Sequence, residues 1–208
     1  MKPAAYILIL SLAACNKRAP KVEPSIDPAT VEVTKETEKR AEIPADEAAA
    51  SVNQRLLSIL KSKDYHKFSQ YIHPQKGVRF SMYAYLHPEN KIFSKEDFDK
   101  YIDSNIKFTW GSRDGSGEPL VLSLKDYFEK WIFKRDFSNA EYHFNEFRGQ
   151  GNSLNNIREI YPTQNFTENY ISGTEKYGGM DWNSLRFVFE EYNGVYYLIA
   201  VINDEWTV

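Results

Sequence analysis

Leu185-Arg186-Phe187-Val188-Phe189-Glu190-Glu191-Tyr192-Asn193-Gly194-Val195-Tyr196-Tyr197-Leu198-Ile199-Ala200-Val201-Ile202 decides the fold. Two runs rich in β-branched and aromatic residues flank Asn193-Gly194, a pair suited to a tight hairpin because both positions tolerate positive φ. The second run, from Tyr196 to Ile202, is apolar on both faces, which predicts a central strand covered on both sides. A long antiparallel hairpin therefore ends the domain. Upstream of it, Tyr142 to Phe147 and Phe166 to Ile171 read as strands, separated by a Gly- and Asn-rich loop from Arg148 to Asn156.

Farther back the periodicity turns helical. Pro44-Ala45-Asp46-Glu47 reads as a helix start with Asp46 as N-cap, and Ala49, Val52, Leu56 and Ile59 follow at helical spacing. Asp64 caps a shorter helix carrying Tyr65, Phe68 and Ile72, which His73-Pro74 stops. Val78 to Leu86 then alternates so regularly that it predicts a half-buried strand, with Val78, Phe80, Met82, Ala84 and Leu86 inward. After a turn at His87-Pro88-Glu89-Asn90, a capping box from Ser94 to Asp97 opens a third helix. Ile106, Phe108 and Trp110 alternate as a short strand, ended by a long turn from Gly111 to Pro119. A second box, Ser123 to Asp126, opens a helix whose Leu124, Tyr127, Phe128, Trp131 and Ile132 share one face. Helices first and strands last predict an α+β domain. Its N-terminal helices pack on a curved, mainly antiparallel, cone-like sheet that ends in the hairpin.

The N-terminus has a different character. Lys2 precedes the apolar run Tyr6-Ile7-Leu8-Ile9-Leu10, which is too short to cross a bilayer core of about 30 Å as a helix. Leu12-Ala13-Ala14-Cys15 closes it and resembles the lipobox of bacterial lipoproteins, in which small residues precede a cysteine that becomes the lipidated N-terminus. Cys15 is the only cysteine of the chain, so a disulfide within one chain is excluded. An ordinary signal cleaved near Ala14 is the alternative. From Asn16 to Pro44 a run dominated by Lys, Glu, Thr and Ala is punctuated by Pro and has no aromatic, too little apolar surface to offset the entropy of ordering it. The expected organisation is a signal peptide over 1–14, the lipidated cysteine and a disordered tether over 15–45, and a single α+β domain over 46–208. The resemblance implies a bacterial cell-envelope location, lipid-anchored, on the periplasmic or outer face, with the membrane as partner through the N-terminal lipid.

The order of elements resembles the cone-shaped fold of the nuclear-transport-factor-2-like superfamily. A second likeness is to a family of uncharacterised secreted bacterial domains. It is carried by His73-Pro74, Gly77-Val78-Arg79-Phe80-Ser81, Tyr83-Ala84-Tyr85, Thr109-Trp110-Gly111 and Asp114-Gly115-Ser116-Gly117. Gly151-Asn152-Ser153, Asn155-Asn156, Gly179-Met180-Asp181-Trp182 and the ending Asp204-Glu205-Trp206-Thr207-Val208 complete it. That family brings no activity with it.

Chemistry-bearing patterns are sparse. A formal net charge of −3 gives no basic footprint, so no nucleic-acid partner is expected. His66, His73, His87 and His143 have no metal-ligand spacing, and neither a metal nor a cofactor is expected. Asp114-Gly115-Ser116-Gly117-Glu118 places oxygens as calcium loops do, but Lys125 stands where an EF-hand has its closing glutamate, which favours a plain turn. Gly151-Asn152-Ser153-Leu154-Asn155 lacks the trailing glycine of a nucleophile elbow. What remains is aromatic and amide density around the long loops. Trp110, Asp114, Asn152, Asn155, Asp181, Trp182 and His73 are the candidate ligand-binding residues, suited to a glycan, a small ligand or an envelope protein. A binding domain is the first expectation. An envelope hydrolase using Asp181 and Glu205, with or without His73, is the rival.

Overall fold

In the computed structural model, which describes residues 43–207, the chain builds thirteen main elements. The first seven are α1 (Ala45–Ser62), α2 (Tyr65–Phe68), β1 (Val78–Ser81), β2 (Ile92–Phe93), α3 (Lys95–Tyr101), β3 (Lys107–Ser112) and β4 (Pro119–Ser123). Then come α4 (Leu124–Tyr127), β5 (Glu141–Phe144), α5 (Ile157–Ile160), β6 (Asn165–Ile171), β7 (Asn183–Tyr192) and β8 (Val195–Glu205). The predicted signal peptide, Cys15 and the tether as far as residue 42 lie outside the described residues. No helix among the described residues is long and apolar enough to cross a membrane.

The expected hairpin is the middle of a six-stranded sheet ordered β2-β1-β8-β7-β6-β5. Every pairing is antiparallel except β1 with β8, where Arg79, Phe80 and Ser81 run parallel to Ala200, Val201 and Ile202. Asn193 and Gly194 take positive φ at the turn, as their chemistry predicts. A bulge at Ile199 shifts the β7–β8 register between Val188 and Phe189, so Ile199 and Ala200 join the same core cluster. The fold is α+β, and β3 and β4 form a separate two-stranded hairpin.

Each face of the six-stranded sheet has its own core. On the helix face, Leu185, Phe187, Phe189, Leu198 and Val201 meet Leu56 and Leu60 of α1 and the aromatic group Phe68, Phe80, Phe98, Tyr127 and Phe128. Burying one such leucine or phenylalanine contributes about 1.5–3 kcal/mol. On the other face, Val188, Ile199, Ala200 and Ile202 lie beneath Ile157, Phe166, Phe147 and Tyr161, from the segment between β5 and β6 and the start of β6. A polar clamp fixes the helix layer. Asn53 of α1 and Asn169 of β6 exchange amide bonds of 2.8 and 2.9 Å, while Thr167 donates to Asn53 at 2.8 Å.

The structure corrects several element boundaries. Helix α1 begins at Ala45 with Pro44, not Asp46, in the N-cap position, because the Pro44 carbonyl accepts from Ala48 at 3.0 Å. Asp46 and Glu47 fall in the first turn, where negative charge suits the helix dipole. Asp64 precedes α2 as expected but pairs with Lys67 at 2.6 Å and caps nothing with its side chain. The strand predicted from Val78 to Leu86 ends at Ser81, whose hydroxyl donates to the carbonyls of Tyr83 and Tyr85 and bends the chain. Met82, Ala84 and Leu86 are nonetheless buried. Pro119 does not end a turn but begins β4, which pairs with β3. The helix opened by Ser123 has the expected cap, a 3.1 Å bond from the Asp126 amide, but widens after Tyr127 into a π-helical turn, Phe128–Ile132. Asn203 donates to the Trp131 and Ile132 carbonyls that this turn exposes.

Candidate functional site

The bend after Ser81 opens a cleft of about 900 Å³. One wall is the segment from Ser81 to Lys91, with Tyr83, Tyr85 and His87. The second is β3 from Thr109 to Ser112, followed by Asp114, and the third is Ser153, Leu154 and Thr207. Each wall is anchored. Trp131 Nε1 donates to the Met82 carbonyl at 3.2 Å. The Asn156 carboxamide takes the Leu86 amide at 2.7 Å and returns a bond to its carbonyl at 3.2 Å, acting as one rung of a ladder. Thr207 is held by the Asn152 amide at 3.2 Å and the Ser153 hydroxyl at 2.9 Å. The Asp114 amide donates to the Tyr83 hydroxyl at 2.9 Å, joining the first two walls. Burial beside these neighbours pushes the Tyr83 phenol up, so it stays protonated at neutral pH.

The candidate residues separate into groups. Trp110 and Asp114 both line this cleft. Trp110 is only 3% exposed: it stacks on Tyr127 at 3.7 Å and donates to the Leu122 carbonyl, so it supports the floor from within. Asn152 stands at the Thr207 wall. Asn155 lines a smaller recess of about 240 Å³ that shares Ser153 with the cleft, and its side chain accepts from the Ile157 amide to start α5. Trp182 is buried beneath Gly149 and Gly151, away from the lining of the cleft. Asp181 accepts from the Thr174 amide and hydroxyl at 2.6 and 3.0 Å, bonds that hold its carboxyl below the usual range. It closes a loop.

His73 is placed elsewhere. It is 1% exposed, and its Nδ1 accepts from the amides of Gln75 and Lys76, both at 3.1 Å, which puts the ring proton on Nε2. Burial pushes its pKa down. Its amide bonds Leu198, seven residues along β8 from Glu205, roughly 20 Å at a strand rise of about 3.3 Å. Glu205 itself pairs with Lys134. Asp181, Glu205 and His73 therefore form no joint constellation, and the arrangement required for acid-base work by these three is absent.

One charged network escaped the sequence reading. Arg186, wholly buried, donates to Glu168 at 2.8 and 3.0 Å, to Asp204 at 2.8 Å and to the Gly149 carbonyl at 2.8 Å. Glu168 also accepts from Ser184 at 2.5 Å, from Gly149 at 3.2 Å and from the Arg148 amide. Burial raises the Asp204 carboxyl, only partly offset by Arg186. The network straps the loop after β5 to the sheet and so fixes the Ser153 wall of the cleft.

No family model matches this chain, and no curated protein matches it.

Proposed function

We propose that this protein is anchored outside the cytoplasm by a lipid on Cys15 and that its folded domain binds a short glycan segment in the cleft. One observation carries the binding reading. The cleft has an apolar floor of Met82 and Trp110, flanking phenols of Tyr83 and Tyr85, and a rim supplied by Asn90, Ser112, Asp114 and Ser153. Rings take the apolar face of a sugar while hydroxyl, amide and carboxylate groups take its hydroxyls. Tyr85, 44% exposed, is the ring most available for stacking.

Titration with soluble cell-wall glycan fragments, read by tryptophan fluorescence and thermal stability, tests this. Saturable binding that Tyr85→Ala weakens about tenfold, a loss of about 1.4 kcal/mol, is the expected result. A fragment series that moves neither signal removes the glycan reading. If envelope extract yields a protein retained by the intact cleft and released by Tyr85→Ala, the occupant is a protein instead. For the anchor, palmitate labelling and detergent partitioning of the native chain should both be lost in Cys15→Ser. An unlabelled native chain would end that part of the proposal.

A further inference from the structure

Arg79 lies mid-strand in β1, partly buried and opposite Ala200, on the face covered by the segment between β5 and β6. Its Nε is buried without a hydrogen-bond partner, and its guanidinium makes no ion pair among the described residues. That Nε–H is cut off from water with no acceptor, and a guanidinium that presents an unused donor at a recess is suited to a carboxylate that supplies one. The anion lining the same recess is already engaged. Both oxygens of Glu190 accept from Lys76 Nζ at 2.7 Å, and its carboxylate faces the Gln164 amide at 3.5 Å and His73 at 4.0 Å. Lys76 and Glu190 cancel, and His73 is neutral, so one positive charge at Arg79 is left unmatched.

The recess holds about 260 Å³. Ile92, Ile160 and Ile199 form its apolar walls, and Tyr161 stands beside Arg79. Ile92 and Ile160 are 52% and 42% exposed, an apolar mouth around a single charge.

We propose that this recess is a second binding site, which takes the carboxylate of a small monoanionic ligand with an apolar body. The Arg79 fork receives the carboxylate, a geometry that a guanidinium matches with two parallel bonds. The isoleucines receive the body, and Tyr161, which lines the recess beside Arg79, offers a phenol to the same group. One unmatched cation selects one negative charge. A phosphate dianion would bring its second charge against Glu190.

Calorimetric titration of the full chain with benzoate tests the site, with benzamide as its neutral counterpart and inorganic phosphate as the dianion. Benzoate should bind saturably, and benzamide and phosphate at least tenfold more weakly. Arg79→Gln should lose benzoate binding at least tenfold, and Arg79→Lys should retain part of it, since charge survives but the fork does not. Circular dichroism checks that both variants fold. The benzoate–benzamide comparison needs no variant at all. Equal binding of benzoate and benzamide, tighter binding of phosphate, undiminished binding by folded Arg79→Gln, or no saturable response to benzoate would each overturn the proposal.

Discussion

Replacing Arg186 by methionine leaves two carboxylates in the interior with their shared cation gone. Glu168 keeps its bonds from Ser184 and the loop amides, but among the described residues Asp204 retains only the Glu205 amide at 3.0 Å. Removing one partner from a buried ion network costs about 3–5 kcal/mol, a large part of the roughly 5–15 kcal/mol that holds a domain folded. For a domain of this size each kcal/mol lowers Tm by about 2–4 °C, so the melting point should fall by about 6–20 °C. The deficit should also depend on pH. The native Asp204 carboxyl binds its proton at higher pH than the unfolded chain does. Its contribution is therefore complete below the ordinary carboxylate range and is lost as pH rises through the raised one. Arg186 is the main influence holding that value down, so Arg186→Met raises it further and steepens the loss. Melts followed by circular dichroism should give a larger deficit at pH 7.5 than at pH 4.5. Adding Glu168→Gln and Asp204→Asn, which removes the stranded charges, should recover part of the loss. A deficit under 1 kcal/mol, or one equal at both pH values, would refute the reasoning.

Asn53→Ala strips Asn169 and Thr167 of their shared buried partner and should cost about 1–3 kcal/mol in guanidinium melts. Gly149→Ala would place a Cβ 2.4 Å from the Ser184 hydroxyl and 2.6 Å from the Trp182 ring. Overpacking there should cost about 1–3 kcal/mol and, by loosening the Ser153 wall, weaken cleft binding as well. Asp181→Ala should leave global stability within about 1 kcal/mol, since its bonds are local, while limited proteolysis cuts the segment from Thr174 to Asp181 faster.

Local signals were legible in the sequence wherever the physics is local. Asn193-Gly194 gave its hairpin, and Ser94 and Ser123 each accept the amide three residues on, as their spacing implies. The alternation from Val78 to Leu86 identified the buried side chains but not the end of the strand, because the Ser81 bend, though local, leaves that alternation intact and the Asn156 clamp on Leu86 comes from far along the chain. Strand β4 went unread since the exposed Val121 between Leu120 and Leu122 hides the alternation and Pro119 signals a turn. Trp110 and Trp182 look like loop aromatics until Tyr127 and the glycines at 149 and 151 are seen to enclose them. The charged network needs β6, β7 and β8 in register, and Glu168, Arg186 and Asp204 carry no spacing that announces it. Arg79 likewise reads as the outward residue of an alternating strand, and only the covering segment makes its isolation visible.

Strand β8 lies between β1 and β7, parallel to the first and antiparallel to the second. A growing chain therefore cannot join β1 to the rest of the sheet until β8, far along the sequence, is free. Until then β1 has only the two-residue β2 beside it, and assembly waits on release. That ordering makes loss of β8 a cut through the middle of the architecture where trimming an edge would be mild.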